Sequence, residues 1–228
     1  MNKLKLLIFA FAIGLSGGVV IAQNNNGSVD IDAIKPPPRN VKDILNLVEQ
    51  TKPDLLEVEK AQKIIALPVP ASSDPGVLNH FYSRRAVAYQ FLGRMNLAIA
   101  DMRVAVDQYP SSDPRFHMKD LTDLGVFESL GGKNSSAIET FERALVWQRE
   151  KLSNLNGIRI TTQRLLINSL SVAGNFDRAR AELIQQENLL TVLRRVPAYE
   201  ANASTWETQY ESARGIFFLY QGQWVESE

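Results

Sequence analysis

The sequence contains no cysteine among its 228 residues and only two histidines, His80 and His117. The absence of cysteine excludes disulfides and a catalytic nucleophile of the Cys-His type. Two histidines are too few for a histidine-rich metal site, and we interpret each as a solvated or half-packed residue of a helix. The fold must therefore be held by side-chain packing alone, and we predict no metal.

An excess of charge of either sign is also missing, because 25 basic residues balance 25 acidic ones and no long run of one sign occurs. A protein that binds nucleic acid usually presents basic residues to the phosphates, so the composition gives no support to a nucleic-acid partner. Hydrophobic residues make up 45% of the chain and charged residues 22%, which is typical of a folded globular protein. We therefore expect a chain that folds around a sizeable core.

Motifs of catalysis and of cofactor binding are missing too. No Gly-x-Ser-x-Gly nucleophile elbow occurs. The segment 131–135 is faintly similar to a phosphate-binding loop, but no glycine stands five residues before Gly132 and neither Ser nor Thr follows Lys133. Carboxylate pairs at helical spacing, such as Asp120 and Asp123, are interpreted as part of a solvated face. We predict neither an enzyme nor a cofactor.

The N-terminus has the pattern of a secretory signal peptide. Lys3 and Lys5 precede an apolar segment, residues 6–22, and polar residues begin at Gln23. The small residue Ala22 suits a signal peptidase, so the pattern predicts a signal peptide over 1–22, cleavage after Ala22, and a periplasmic or secreted protein. The alternative is an uncleaved anchor, because the apolar segment is nearly long enough to cross a bilayer.

Two segments follow before the main part of the chain. Residues 23–39 are predicted to form a flexible linker, since asparagines and a run of three prolines favour an extended, unpaired backbone. Residues 40–75 are predicted to form an N-terminal helical pair, whose first helix is capped by Asn40 and whose second helix starts at Asp54. Prolines as far as Pro75 are expected to end this pair.

An internal repeat centred on glycines occupies the rest of the chain. In the first copy, small and aromatic residues stand at fixed distances on both sides of Gly93. Ala86 and Ala98 are placed where two antiparallel helices would cross most closely, and Gly93 lets the backbone turn between those helices. The pattern of this copy consists of Tyr82, Ala86, Tyr89, Gly93, Ala98, Met102, Ala105 and Pro110.

Three further copies are centred on Gly132, Gly174 and Gly222, at intervals of 39, 42 and 48 residues from one turn glycine to the next. The second and third copies keep an alanine five residues after the glycine. The pattern resembles the tetratricopeptide (TPR) repeat, whose unit is about 34 residues long. The resemblance covers residues 76–228 and implies an all-α fold, a right-handed α-solenoid of about four TPR-like helix pairs.

Some positions depart from the pattern of the family. Glu128 stands in place of an aromatic residue and Gln186 in place of an alanine. The last copy is incomplete, because the sequence stops at Glu228, six residues after Gly222. We therefore expect the apolar stretch 216–219 to stay partly uncovered and a further domain or protomer to contact this end. Aromatic residues that are candidates to cover a neighbouring unit are Trp206, Tyr210, Tyr220 and Trp224.

The resemblance implies a concave surface, formed by the first helix of each pair, that binds a protein or peptide partner. Arg164 and Asn168 are similar to the basic residue and the asparagine with which some members of the family hold a peptide's terminal carboxylate. Neighbouring copies have Ser83 and Thr122 at the place of Arg164, so the pattern of a complete clamp is absent. The residues that the resemblance places on this surface are Gln90, Phe91, Lys119, Thr122, Ser129, Arg164, Asn168, Ser171, Gln209 and Ser212.

Two alternatives remain open beside an exported binding scaffold. The signal peptide, the proline-rich opening, the long repeats and the Phe-Leu-Gly-Arg segment at 91–94 are similar to the N-terminal region of bacterial proteins that end in a caspase-like CHAT protease domain. Such a domain would have to follow Glu228, because this sequence contains no cysteine. The other alternative is a structural, self-assembling component of the cell envelope, which would bind no free peptide.

Overall fold

A computed structural model describes residue 45, residues 54–151 and residues 156–223. These residues are helical with connecting turns and contain no strand, which confirms the all-α fold class. The predicted signal peptide, the linker and, apart from Leu45, the first helix of the N-terminal pair lie outside the described residues. The described helices from Leu55 to Tyr220 belong to one compact unit.

Eight helices, α1 to α8, follow one another through the described part of the chain, and a π-helical turn extends the third. Each helix packs against the next one along the chain, and α6 also packs against α8. The helices are α1 (Leu55–Ile65), α2 (Pro75–Phe91), α3 (Met95–Arg103) with its π-helical extension (Val104–Gln108), α4 (Pro114–Leu130), α5 (Asn134–Lys151), α6 (Asn156–Val172), α7 (Phe176–Leu193) and α8 (Tyr199–Tyr220).

Three helices begin with an aspartate that caps the first turn. The Oδ1 atoms of Asp54, Asp74 and Asp113 each accept a hydrogen bond of 2.8–2.9 Å from the backbone N–H two residues later. The cap satisfies an N–H group that has no partner inside the helix. The predicted start of α1 after Asp54 is thus confirmed. Pro75, expected to end the preceding pair, is instead the first residue of α2, where a proline's missing N–H does no harm.

The same tetrapeptide, Ser-Ser-Asp-Pro, leads into both α2 and α4, at residues 72–75 and 111–114. In both copies the first serine accepts a hydrogen bond from the aspartate N–H, at 3.1 Å and 3.3 Å. The copies are 39 residues apart, which is also the interval between Gly93 and Gly132. In the pairs α2/α3 and α4/α5, the turn glycine therefore lies at the same distance from the start of the first helix.

Glycines with positive φ make the turns that follow α2, α4, α6 and α8. Gly93, Gly132, Gly174 and Gly222 have φ of 72°, 74°, 72° and 75°. Residues with a side chain are strained in this left-handed conformation. No other described residue has a positive φ. All four predicted turn positions are therefore confirmed.

Small residues are buried between the helices of the described part of the chain. Gly125 of α4 makes a particularly close contact, because a Cβ atom there would stand 2.4 Å from Cε1 of Phe141 in α5. Small side chains let two helix backbones approach without displacing their neighbours. The alanines at the repeat positions are fully buried, with 0% exposure: Ala86, Ala98, Ala137 and Ala179.

Helix α8 is covered largely by its own neighbours. Trp206 is 6% exposed and packs with apolar residues of α6 and α7, which corrects the expectation that it covers a neighbouring unit. Phe217 is 1% exposed, and the other residues of the stretch 216–219 are half-buried. Tyr220 is exposed, and Trp224 lies outside the described residues.

Two residues that depart from the family pattern are buried with partners. Glu128 is 1% exposed, and its Oε1 accepts a hydrogen bond of 2.6 Å from Nη2 of Arg103 while its Oε2 accepts one of 2.7 Å from Thr140. Gln186 is 0% exposed and donates to the Ile160 carbonyl at 2.9 Å. A polar group is tolerated inside a protein when it is hydrogen-bonded. Glu128 thereby joins α3, α4 and α5.

Asp120, expected on a solvated face, and His117, expected to be solvated or half-packed, are both buried. Asp120 and His117 are each 6% exposed. Oδ2 of Asp120 accepts a hydrogen bond of 3.0 Å from Asn79, and the His117 ring packs edge-on against Trp147 with 4.4 Å between ring centroids. Both expectations are corrected, because each side chain lies at a contact between helices.

Candidate functional site

Arg164 lies in the middle of α6 and reaches towards α8. Its Nε donates a hydrogen bond of 2.5 Å to Oε1 of Gln209. The side chain is half-buried, and among the described residues it has no carboxylate partner. A predicted binding residue is therefore anchored to a neighbouring helix by a neutral amide.

Asn168, one helical turn later on α6, contacts the same guanidinium. With its side-chain amide turned so that the oxygen faces Arg164, Oδ1 accepts from Nη1 at 3.2 Å and the amide nitrogen donates to the Arg164 carbonyl at 3.2 Å. The structure thus brings together three of the predicted residues, Arg164, Asn168 and Gln209. Two neutral amides hold the guanidinium in place, and neither of them balances its charge.

Burial lowers the pKa of Arg164, and no neighbouring charge contributes to the shift. An arginine stays protonated in proteins, so a partly desolvated positive charge remains here without a negative one beside it. An incoming carboxylate or phosphate would form charge-assisted hydrogen bonds with it. The arrangement is suited to holding an anionic group of a ligand.

The other predicted surface residues are placed differently. Thr122 and Ser171 are buried, and the Ser171 hydroxyl donates to a backbone carbonyl one turn earlier at 2.8 Å. Lys119 is exposed and pairs with Asp123 of the same helix at 2.5 Å. No hydrogen bond or ion pair within the described chain joins any of them to Arg164. The remaining four are exposed or half-buried: Gln90, Phe91, Ser129 and Ser212.

Side-chain hydrogen bonds connect the first helices of consecutive pairs. They join residues 40–45 positions apart in sequence, close to the interval between successive turn glycines. Thr122, predicted to contact a partner, joins α4 to α6 instead. Sequence reasoning missed Asn79 and Thr162, although this interval between polar residues is a signal that could have found them. The three bonds are Asn79–Asp120 (3.0 Å), Thr122–Thr162 (3.0 Å) and Arg164–Gln209 (2.5 Å).

Neither a metal centre nor a membrane span occurs in the described ranges. No three side chains of His, Cys, Asp or Glu are grouped there so that they could hold a metal ion. None of the described helices combines the length and the apolar character that crossing a bilayer requires. Protein-family models give no match to the chain, and no curated protein is significantly similar to it. Function must therefore be argued from the geometry around Arg164.

Proposed function

We propose that the chain is an exported tetratricopeptide-type scaffold, a right-handed α-solenoid that binds a protein or peptide partner. The observation that carries the proposal is Arg164, a half-buried guanidinium that neutral amides hold and that has no carboxylate partner in the described chain. A carboxylate of the partner would supply the missing negative charge. The proposal assigns binding to this surface and no catalysis.

The contacts between helix pairs support an array of stacked units. In an array, corresponding helices of neighbouring units lie side by side and each unit contacts only its neighbours. Hydrogen bonds link α2 to α4, α4 to α6 and α6 to α8, which are the first helices of consecutive pairs. In such an array, the surface of these first helices would run from one unit to the next, which would suit an extended peptide.

Free donors on Arg164 support the contact to a carboxylate. Nε is engaged by Gln209 and Nη1 by Asn168, whereas Nη2 forms no hydrogen bond with a described residue. A guanidinium has five N–H groups in a planar fork, so Nη1 and Nη2 can together bind one carboxylate. The bond to Gln209 would stay intact and would keep the fork in a single orientation.

The test compares two pools of short random peptides, one with free C-terminal carboxylates and one amidated, passed over the immobilised protein. We expect the protein to retain the carboxylate pool preferentially. Arg164→Gln should lose this preference, because a charge-assisted hydrogen bond contributes about 1.5–3 kcal/mol, which is a factor of roughly ten or more in affinity. Mass spectrometry of the retained peptides measures the preference.

Arg84→Gln is the matched control, since Arg84 is an exposed residue of α2 and the substitution removes the same charge. This variant should retain the carboxylate pool as the parent does. Circular dichroism should show equal helix content for all three proteins. Equal retention of the two pools by the parent would contradict a carboxylate contact at Arg164.

A further inference from the structure

A cleft of about 280 Å³ lies between α5, α6 and α7, away from the arrangement at Arg164. Arg149 of α5, Arg159 and Gln163 of α6, and Glu182 of α7 line it. Gln163 directly precedes Arg164, and adjacent residues of an α-helix point about 100° apart. Gln163 bonds to α7 while Arg164 bonds to α8, so the two sites lie on different sides of α6.

The cleft is lined by two arginines, Arg149 and Arg159. Within the described chain, neither Arg149 nor Arg159 forms an ion pair. The pKa of Arg159 is lowered first by burial and next by the positive charge of Arg149, which outweighs the opposite effect of Glu182. Glu142, which also lines the cleft, is already paired with Arg178. With Glu142 neutralised by Arg178, the cleft carries the two positive charges of Arg149 and Arg159 against the single carboxylate of Glu182, and this net positive charge favours an anion.

Gln163 provides an independent sign of a missing ligand group. It is 2% exposed, and its Nε2 donates to the carbonyl oxygen of Glu182 at 3.2 Å and to Oε2 of the same residue at 3.1 Å. These two acceptors fix the orientation of the amide, because a reversed amide would bring oxygen against oxygen. Oε1 of Gln163 is left buried without a partner in the described chain, which is unfavourable. A ligand N–H group would satisfy it.

We propose that this cleft binds an acidic segment of a peptide. The carboxylate of an acidic side chain lies between the guanidiniums of Arg149 and Arg159, and a backbone N–H of the segment donates to Oε1 of Gln163. Val146, which is 43% exposed on the wall of the cleft, packs against a neighbouring apolar side chain of the segment. This combination of groups distinguishes a peptide from a free inorganic anion, which offers no apolar surface.

The test is a titration of the ¹⁵N-labelled 228-residue chain with acetyl-Leu-Glu-Leu-amide, followed by the amide NMR signals. Acetyl-Leu-Gln-Leu-amide is the matched neutral probe. We expect the acidic tripeptide to shift signals of α5, α6 and α7 around the cleft, and to bind at least about ten times more tightly than the neutral one. Raising the salt concentration should weaken the acidic tripeptide and leave the neutral one unchanged.

Variants assign the binding to the cleft. The double variant Arg149→Gln/Arg159→Gln should lose the preference for the acidic tripeptide. Arg195→Gln, which removes an exposed charge from the turn after α7, should keep it. Arg164→Gln should also keep this preference. The experiment therefore tests binding at the cleft separately from the carboxylate contact proposed at Arg164. Circular dichroism checks that each variant keeps its helix content.

Three outcomes would overturn the proposal: equal affinity for the two tripeptides, no binding of either, or unchanged binding by the double variant. Inorganic phosphate is titrated as a separate arm. Shifts around the cleft with phosphate but not with the acidic tripeptide would identify a small-anion site and would likewise reject a peptide ligand.

Discussion

The side-chain amide of Asn79 donates a hydrogen bond of 3.0 Å to Oδ2 of Asp120, across 41 positions of the sequence. Both side chains are buried, and Asn79 also donates to the Ala105 carbonyl at 3.2 Å. Burial raises the pKa of Asp120 above its ordinary value of 3.8, while the hydrogen bond from Asn79 opposes the shift. The contact between α2 and α4 is therefore sensitive to protonation.

The first prediction concerns the pH dependence that Asp120 causes. The folded state holds the Asp120 proton more tightly than the unfolded state, so this group lowers the free energy of unfolding as pH rises from 3.8 through the raised pKa. Asp120→Asn should remove this contribution. As pH falls towards 3.8, the stability of the parent should improve relative to that of the variant, which urea denaturation at a series of pH values would measure.

Asn79→Ala gives an internal control, because it removes the hydrogen bond that lowers the pKa of Asp120. The pH-dependent difference should be larger in this background and absent from the double variant Asn79→Ala/Asp120→Asn. If Asn79→Ala has the same pH dependence as the parent, the hydrogen bond between α2 and α4 does not affect the pKa of Asp120.

A second prediction has the opposite sign and concerns His117. Burial and the charge of Arg143 lower the pKa of His117 below 6.5, so the unfolded state binds this proton more tightly. The contribution of neutral His117 to stability should be present above pH 6.5 and be lost as pH falls through the depressed pKa. His117→Phe keeps a ring against Trp147 and should remove this loss.

NMR titration of the imidazole in a His80→Gln background measures the pKa directly, since His117 is then the remaining histidine. Thermal melts above and below pH 6.5 give the matching change in stability. A titration midpoint at or above 6.5 would show that burial does not lower the pKa of His117.

The third prediction tests the close crossing of helices at alanine. Ala98→Leu should overpack the contact between α2 and α3 at a cost of roughly 1–3 kcal/mol, and Ala137→Leu should do the same between α4 and α5. Ala100→Leu is the matched control, because Ala100 is exposed on the same helix as Ala98. Melting temperatures of Ala98→Leu and Ala100→Leu that agree within error would place the crossing elsewhere.

The fourth prediction uses two helical glycines with different surroundings. A Cβ at Gly125 would stand 2.4 Å from the buried Phe141 ring, whereas one at Gly157 would meet only Nε1 of Trp206 at 3.5 Å. Alanine is favoured over glycine in a helix by up to about 1 kcal/mol. Gly157→Ala should therefore be neutral or stabilising, and Gly125→Ala should be destabilising despite its gain in helix propensity. Urea denaturation of both variants measures their free energies of unfolding. Equal stabilisation by the two substitutions would show that the Phe141 ring can move to accommodate the added Cβ.

The sequence by itself determined the features that depend on neighbours within about one helical turn. A capping aspartate before a proline starts α2 and α4, and the repeated Ser-Ser-Asp-Pro segment marks both starts. Glycine is needed wherever the backbone turns with positive φ, so the four turns could be located from Gly93 onwards. The all-α class and the burial of the repeat alanines follow from the same spacing, because helical periodicity and side-chain size are properties of the local sequence.

Only the tertiary structure decided which distant polar groups meet. The sequence pointed to Arg164 and Asn168, and it placed Gln209 on the same predicted surface without indicating that it bonds to Arg164. The interval between polar residues could have suggested candidates such as Asn79 and Thr162. That Thr122 bonds to Thr162 and Asp120 to Asn79, instead of to solvent, was decided by the folded chain. Such pairs join helices 40 or more residues apart, and their energies depend on burial, which the folded chain alone creates. The cleft at Arg149 and Arg159 arises in the same way, from three helices that the spacing of residues does not bring together.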